Sequence, residues 1–246
     1  IDMCSGPLFP KILRFAIPLM ASSILQLLFN AADMVVVGQF AGNTALAAVG
    51  ANAALINLLT NLFIGFSVGA NVLVAQFYGA GREEDMSRTV HSAIALSLIC
   101  GAALMVFGIL AAPKLLALMG TPADVLGQAA LYIRIYFAGM PVLLLYNFGS
   151  AILRAVGDTQ RPLYFLLAAG MINVVLNLVF VIGFHLDVAG VALATVASQA
   201  VSALLILRCM TRMEGGCRVE LRKLALEKDK VLQIVRIGIP AGLQGT

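Results

Sequence analysis

The chain has 246 residues, 61% of them hydrophobic and only 11% charged, with a mean hydropathy of +0.99. A soluble domain is nearer half apolar and about a quarter charged, and this excess exceeds what one soluble core could hide. Lipid is the solvent that suits it. The net charge of +4 is spread over short segments without interleaved aromatics, which excludes a nucleic-acid face.

A spanning helix needs about 20 mostly apolar residues, and six such runs follow one another. The first is Lys11–Val37, which carries Pro18, Ser22, Gln26, Asn30 and Asp33. It is too long for a signal peptide and lacks a small-residue cleavage site, and the start at Ile1 implies that a few residues precede it. The second, Ala45–Tyr78, holds Asn57 and Asn61 and is long for one crossing, so a tilt or an extension is expected. Val90–Ala112, Leu126–Ala151, Pro162–Phe184 and Val188–Leu207 complete the six, and a seventh opens at Val231–Thr246. Length argues for helices, because barrel strands run about ten residues with alternating polarity. With no Trp in the chain, Tyr and Phe must supply any interfacial belt.

The connections are short and polar: Gly79–Arg88, Pro113–Asp124, Arg154–Arg161, His185–Asp187 and Arg208–Lys230. Their positive charge is lopsided. Lys11, Arg14, Arg82, Arg88, Arg154, Arg161, Arg208, Arg212, Arg218, Arg222, Lys223, Lys228, Lys230 and Arg236 share one side, leaving only Lys114 and Arg134 of the 16 basic residues. The positive-inside rule therefore places the N-terminus in the cytoplasm of a multi-pass protein of the plasma (inner) membrane. Arg134 reads either as a helix-end residue reaching the interface or as a partner inside the bundle. The cysteines Cys4, Cys100, Cys209 and Cys217 lack metal or redox spacing. Cys100 reads as a core residue and the others as reduced cytoplasmic thiols.

The seventh opening resembles the first. Ile12-Leu-Arg-Phe-Ala-Ile-Pro18 aligns with Ile234-Val-Arg-Ile-Gly-Ile-Pro240, including an Arg followed four residues later by Pro. Six crossings between the copies give both the same orientation, as in transporters built from parallel repeats. This divides the chain into a six-helix lobe (1–207), a cytoplasmic interlobe linker (208–230) in which Met213–Lys230 reads as a linker with some surface-helix character, and the start of a second repeat (231–246).

Eleven of the 12 acidic residues lie in connections, termini or span edges, and Asp33 alone sits inside an apolar helix. A carboxylate there costs about 2.5–3.5 kcal/mol on insertion scales, so it must face protein or water, or carry a proton. Asp33 lies some 21 residues past Ile12, about 30 Å along the helix and in the outer half of the membrane. Gln26, Asn30 and Asp33 share one helical face, continued inward by Ser22. Asn173 and Asn177 stand one turn apart on the fifth run, and Thr195, Gln199 and Ser202 on the sixth. The amides and hydroxyls serve equally well as interhelical glue, but an Asp suits proton or cation binding. Pro18 frees a backbone carbonyl and is expected to kink the first helix.

At these residues the chain resembles the multidrug and toxic compound extrusion (MATE) family. The resemblance rests on Ile17-Pro18, on Asn30-Ala-Ala-Asp33-Met-Val-Val-Val-Gly38 and on Ala75-Gln-Phe-Tyr-Gly-Ala-Gly81. It extends through Leu153-Arg-Ala-Val-Gly-Asp-Thr-Gln-Arg-Pro162 and Gly190-Val-Ala-Leu-Ala-Thr-Val-Ala-Ser-Gln199. It implies an all-α fold of twelve membrane helices in two six-helix lobes, of which this chain holds the first and the start of helix seven. It further implies export of small organic cations and drugs, driven by H+ or Na+ as coupling ion, with no other cofactor. The cavity would be completed by the C-terminal lobe of the same chain. The family's cation site maps onto Asp33, Asn173, Asn177 and Thr195, and Asn177 carries an amide where the family often has a carboxylate. Gln26, Asn30, Asn57, Asn61 and Gln199 are the expected cavity-lining residues.

Three other functions compete, and the six-span repeat and the lone titratable Asp argue against one of them, a passive channel or scaffold. A flippase for lipid-linked oligosaccharides in the same superfamily would need basic residues deep in the cavity, and only Arg134 is a candidate. An intramembrane hydrolase needs paired aspartates, a Ser-His pair or a metal cluster, and one intramembrane acid with two histidines at loop edges supplies none of these.

Overall fold

The computed structural model describes residues 5–245, so the Cys4 thiol and the final residue of the seventh opening, Thr246, lie outside the described residues. Eight α-helices account for most of it: α1 Leu8–Val36, α2 Gly42–Gly79, α3 Glu83–Leu118, α4 Ala123–Ala138, α5 Met140–Ala155, α6 Gln160–Leu178, α7 Asp187–Thr211 and α8 Lys228–Gln244. Two π-helical turns, Val37–Ala41 and Val179–Gly183, extend α1 and α6.

The helical stretch Leu8–Gly79 is 72 residues long, enough for two crossings. It is divided at Gly42, whose φ of 89° and ψ of 173° belong to a region essentially reserved for glycine. The fourth expected run is broken. Its halves α4 and α5 meet at 49°, because Pro141 at the start of α5 has no N–H to give and its ring crowds the carbonyl four residues back. They form one bent crossing. α3 runs past both its expected ends. Its first turn holds Glu83, Glu84 and Asp85, which favour a helix N-terminus, and Pro113 is accommodated within it. Helix α1 likewise continues through Pro18.

Specific contacts fix the directions of the helices. Phe29 lies against Gly170 and Asp33 meets Asn177, so α1 and α6 run parallel. Asn52 donates to the Ala129 carbonyl (2.8 Å) and Asn71 to that of Ala151 (2.6 Å), so α2 follows the α4–α5 crossing. Gly101 against Pro141 and Gly108 against Phe137 set α3 antiparallel to that crossing. Gly149 against Ile206 and Gly139 against Val196 set α7 parallel to it. A tight turn, closed by Leu186 N–H donating to the Phe180 carbonyl (3.0 Å), reverses α6 into α7. The result is six alternating crossings. Phe137, Phe148, Ile94, Leu144 and Ile152 fill a core among α2–α5 and α7. Apolar residues of α1 and α6, such as Leu27, Met171 and Val175, stay exposed where lipid belongs.

The linker forms only 3-10 turns at Gly215–Cys217 and Leu221–Lys223, not a surface helix, and it is clasped to α3. Glu220 N–H donates to His91 Nε2 (3.0 Å), Ser92 Oγ donates to the Ala225 carbonyl (3.2 Å), and Arg88 forks onto the Glu227 carboxylate at 2.8–2.9 Å. Beyond it α8 lies antiparallel along α2. A Cβ on Gly65 would sit 2.4 Å from Gly242 Cα, and one on Gly238 would sit 2.7 Å from Phe66 Cα. Two small-xxx-small pairs thus let the helix backbones touch.

Candidate cation site

Asp33 reaches its partners because α1 lies directly on α6. The approach is set by Gly170, where any Cβ would fall 1.7 Å from Phe29 Cε2. One turn farther along α1, Asn177 Nδ2 donates to Asp33 Oδ1 and also to Asn173 Oδ1 (2.9 Å). Both asparagines are buried and Asp33 is half-buried. The two π-helical turns begin four residues past Asp33 and two past Asn177, and they touch each other. Single π turns inside α-helices recur at functional sites. Here each re-aims its helix just beyond a site residue.

The site is rich in unused acceptors. The side-chain oxygens Asn177 Oδ1 and Gln199 Oε1 are buried without a hydrogen-bond partner. Buried polar atoms are normally paired, so an orphaned oxygen on Asn177, the residue bonded to the carboxylate, favours a cation or a proton donor. Thr195 spends its hydroxyl proton on the Val191 carbonyl (3.0 Å) and keeps lone pairs free. Among the described residues no cluster of three or more His, Cys, Asp and Glu could hold a metal, so a cation bound at Asp33 would draw its other ligands from neutral oxygens.

The expected residues are not all brought together. Asp33, Asn173 and Asn177 are in direct contact. Gln199 is half-buried beside the Tyr136 phenol. Gln26 and Asn30 share the α1 stripe with Asp33 in sequence, yet both are exposed, and so is Asn57. Asn61 is engaged elsewhere: its amide donates to the Gly245 carbonyl (2.9 Å) and fastens α2 to α8. Pro18 is buried within α1, and its carbonyl accepts from Ser22 Oγ (2.9 Å), a back-bond that favours bending. Arg134 is exposed on α4. His91 is committed to the Ser87 carbonyl (2.7 Å) and Glu220, and His185 occupies the exposed α6–α7 turn with a φ of 52°.

Sequence reasoning missed Tyr132 and Tyr136. They stack one turn apart on α4 with ring centroids 6.0 Å apart, and both lie close enough to feel the Asp33 charge. A pair of tyrosines at i, i+4 in mid-span was the available signal, since a belt tyrosine belongs at the interface.

The MatE family model matches residues 18–179. The chain is 32% identical to the probable multidrug resistance protein YoeA of Bacillus subtilis (strain 168), over 93% of this chain and 51% of that protein. It is 25% identical to the multidrug export protein MepA of Staphylococcus aureus (strain MRSA252), over 97% of this chain and 53% of that one. Among solved structures, a MATE protein in complex with MaD3S superposes with a TM-score of 0.88 at 28% identity, covering 96% of this chain and 53% of that chain. An inward-facing multidrug resistance MATE family transporter of the MOP superfamily gives 0.82 at 27% identity, covering 96% and 53%. The chain spans about half the length of the curated relatives it matches.

Proposed function

The chain belongs to the MatE family, and on that premise we propose that it is the N-terminal lobe of a multidrug efflux antiporter in the cytoplasmic membrane. Residues 1–207 form that lobe, 208–230 link it to a second lobe and 231–246 begin the second repeat. The exported substrates are organic cations. Entry of H+ or Na+ at Asp33, Asn173, Asn177 and Thr195 drives their exit. One observation carries this reading: the lone intramembrane carboxylate accepts from a buried amide, Asn177, which keeps an orphaned oxygen and also donates to Asn173.

The geometry suggests how binding would do work. The ionised Asp33 accepts from Asn177, and this bond holds α1 against α6. A proton on the carboxylate, or a sodium ion drawing on the free oxygens, removes the charge that the Asn177 donor serves. The α1–α6 contact is then free to repack around Pro18 and the π turn. A coupling ion drives transport only if it binds the two states with different affinity, and this contact is where the difference would arise.

The test is export of a fluorescent organic cation from cells producing the full-length protein, with proton and sodium gradients collapsed separately. Collapse of one gradient should stop export, and Asp33→Asn should uncouple export from that same gradient. Unchanged, still gradient-dependent export by Asp33→Asn would sink the assignment.

A further inference from the structure

At the inner ends of α6 and α7 the lobe opens a cleft of ≈ 500 Å³ lined by Arg161, Cys209, Arg212, Met213 and Glu214. It runs into a second cleft of ≈ 420 Å³ that shares Arg161, Met213 and Glu214. The cation site does not use either of them.

The charges of the first cleft are unbalanced. Arg161 is partly engaged by Asp158 (3.3 Å), and its Nη1 touches Cys209 Sγ (3.6 Å). Arg208 and Arg212, one turn apart and both exposed, make no ion pair among the described residues, whereas the linker's Lys223 and α3's Arg88 are each matched to a glutamate. Glu214 is an exposed carboxylate on the rim. Two guanidinium groups, Arg161 and Arg212, therefore line the first cleft against one carboxylate, Glu214, with Arg208 one turn from Arg212 outside the lining and with Asp158 and Glu83 lining only the second cleft. Directly toward the membrane from Arg161 and Arg208, each about one turn in, stand the exposed apolar side chains Tyr164 (59%) and Leu204 (67%), and Leu167 and Met171 continue the α6 stripe.

A cationic rim set on an apolar, lipid-facing stripe is what a phospholipid of the inner leaflet presents in reverse. Guanidinium groups bind phosphate with charge-assisted, often forked hydrogen bonds, and basic pockets between membrane helices on the cytoplasmic side take anionic headgroups. We propose that this cleft binds an anionic phospholipid, with its phosphate between Arg161 and Arg212 and its acyl chains along Tyr164, Leu167 and Leu204. A soluble anion would use the rim alone and leave the stripe without a role.

The test is native mass spectrometry of the purified protein in mild detergent, offered phosphatidylglycerol or phosphatidylcholine with the same chains. Phosphatidylglycerol should be retained preferentially. Arg161→Gln with Arg212→Gln should weaken retention roughly ten-fold, about the loss of one charge-assisted hydrogen bond. Arg208→Gln with Arg212→Gln, which spares the Arg161–Asp158 pair, should also weaken it if the first double variant folds poorly. Arg222→Gln with Lys223→Gln removes the same charge from the linker and should change little, and Glu214→Gln should tighten binding. Equal losses in linker and cleft variants, equal retention of the two lipids, or full displacement of the lipid by millimolar inorganic phosphate would each overturn the proposal.

Discussion

Asn177 donates one N–H to Asp33 and the other to Asn173, so a single amide organises the polar contact between α1 and α6. Asn177→Ala should strip the carboxylate of a donor and loosen the α1–α6 contact that this bond holds. A hydrogen bond to a charged group is worth about 1.5–3 kcal/mol, so the ion concentration for half-maximal export should shift about ten- to a hundred-fold. Asn177→Asp should act differently. Two carboxylates at hydrogen-bonding distance cannot both ionise easily, so one retains a proton to higher pH, and export should become more steeply pH-dependent. Identical pH profiles for the two variants and the parent would contradict this role. Asp33 was legible in the sequence because a carboxylate inside a span is costly enough to demand a reason. Gln26 and Asn30 share the face of Asp33 by periodicity and stand exposed on α1, because helical spacing names a face without saying what covers it. Tyr132 and Tyr136 went unseen because their relation to Asp33 is made by packing across helices distant in sequence.

At the scale of elements, position depends on small residues that let helices approach. Gly170 admits the Phe29 ring, and that contact sets the height of Asp33 against Asn177. Gly170→Leu should push α1 outward, at about the 1–3 kcal/mol typical of overpacking. Lower thermal stability in detergent should accompany loss of coupled export, while Gly127→Leu, at a site with open space, should do neither. The end of the lobe at the start of α3 is held by charge instead. Asp85, in the first turn of α3 and outside the span, meets Arg82 (2.5 Å) and Lys230 (3.4 Å), and Lys230 also rests over the Phe77 ring. Burial pushes the Asp85 carboxyl up, but the Lys230 and Arg82 partners outweigh it and hold it below its ordinary 3.8. A folded value below the unfolded one adds stability that is present above the unfolded value and lost as pH falls through the folded one. Asp85→Asn should therefore melt lower than the parent at pH 7, and the gap should narrow as pH falls below 3.8. A gap that did not narrow at all on acidification would show that the carboxylate charge is not what holds α8 to α3. The crossings themselves were legible from apolar run length, whereas the bend at Gly139 and Pro141 was hidden because an apolar run reads the same straight or broken. The linker's 3-10 turns were equally hidden, because its shape comes from His91, Ser92 and Arg88 on a different element.

For the whole molecule, the alternation of helix directions and the distribution of charge must agree on one orientation. The contacts place α1, α3 and α6 one way and α2, the α4–α5 crossing and α7 the other, so the 80–82 turn, the 156–159 turn and the linker share a face. That face carries Arg82, Arg161, Arg212, Arg218, Arg222 and Lys223, while the opposite face has the 119–122 and 184–186 turns without a single Lys or Arg. Charge bias of this kind sets orientation during insertion, and on that ground we propose that the basic face lies in the cytoplasm. Single cysteines introduced at Thr121 and His185 in an otherwise cysteine-free protein should react with a membrane-impermeant maleimide in intact cells. Cysteines at Glu214 and Arg222 should react only after the membrane is opened. The reverse pattern would put Asp33 in the inner half of the bilayer, and the coupling ion would then meet it from the cytoplasm. Labelling of both faces in intact cells would mean mixed insertion, and the charge bias, for all its size, would not decide the orientation of this lobe.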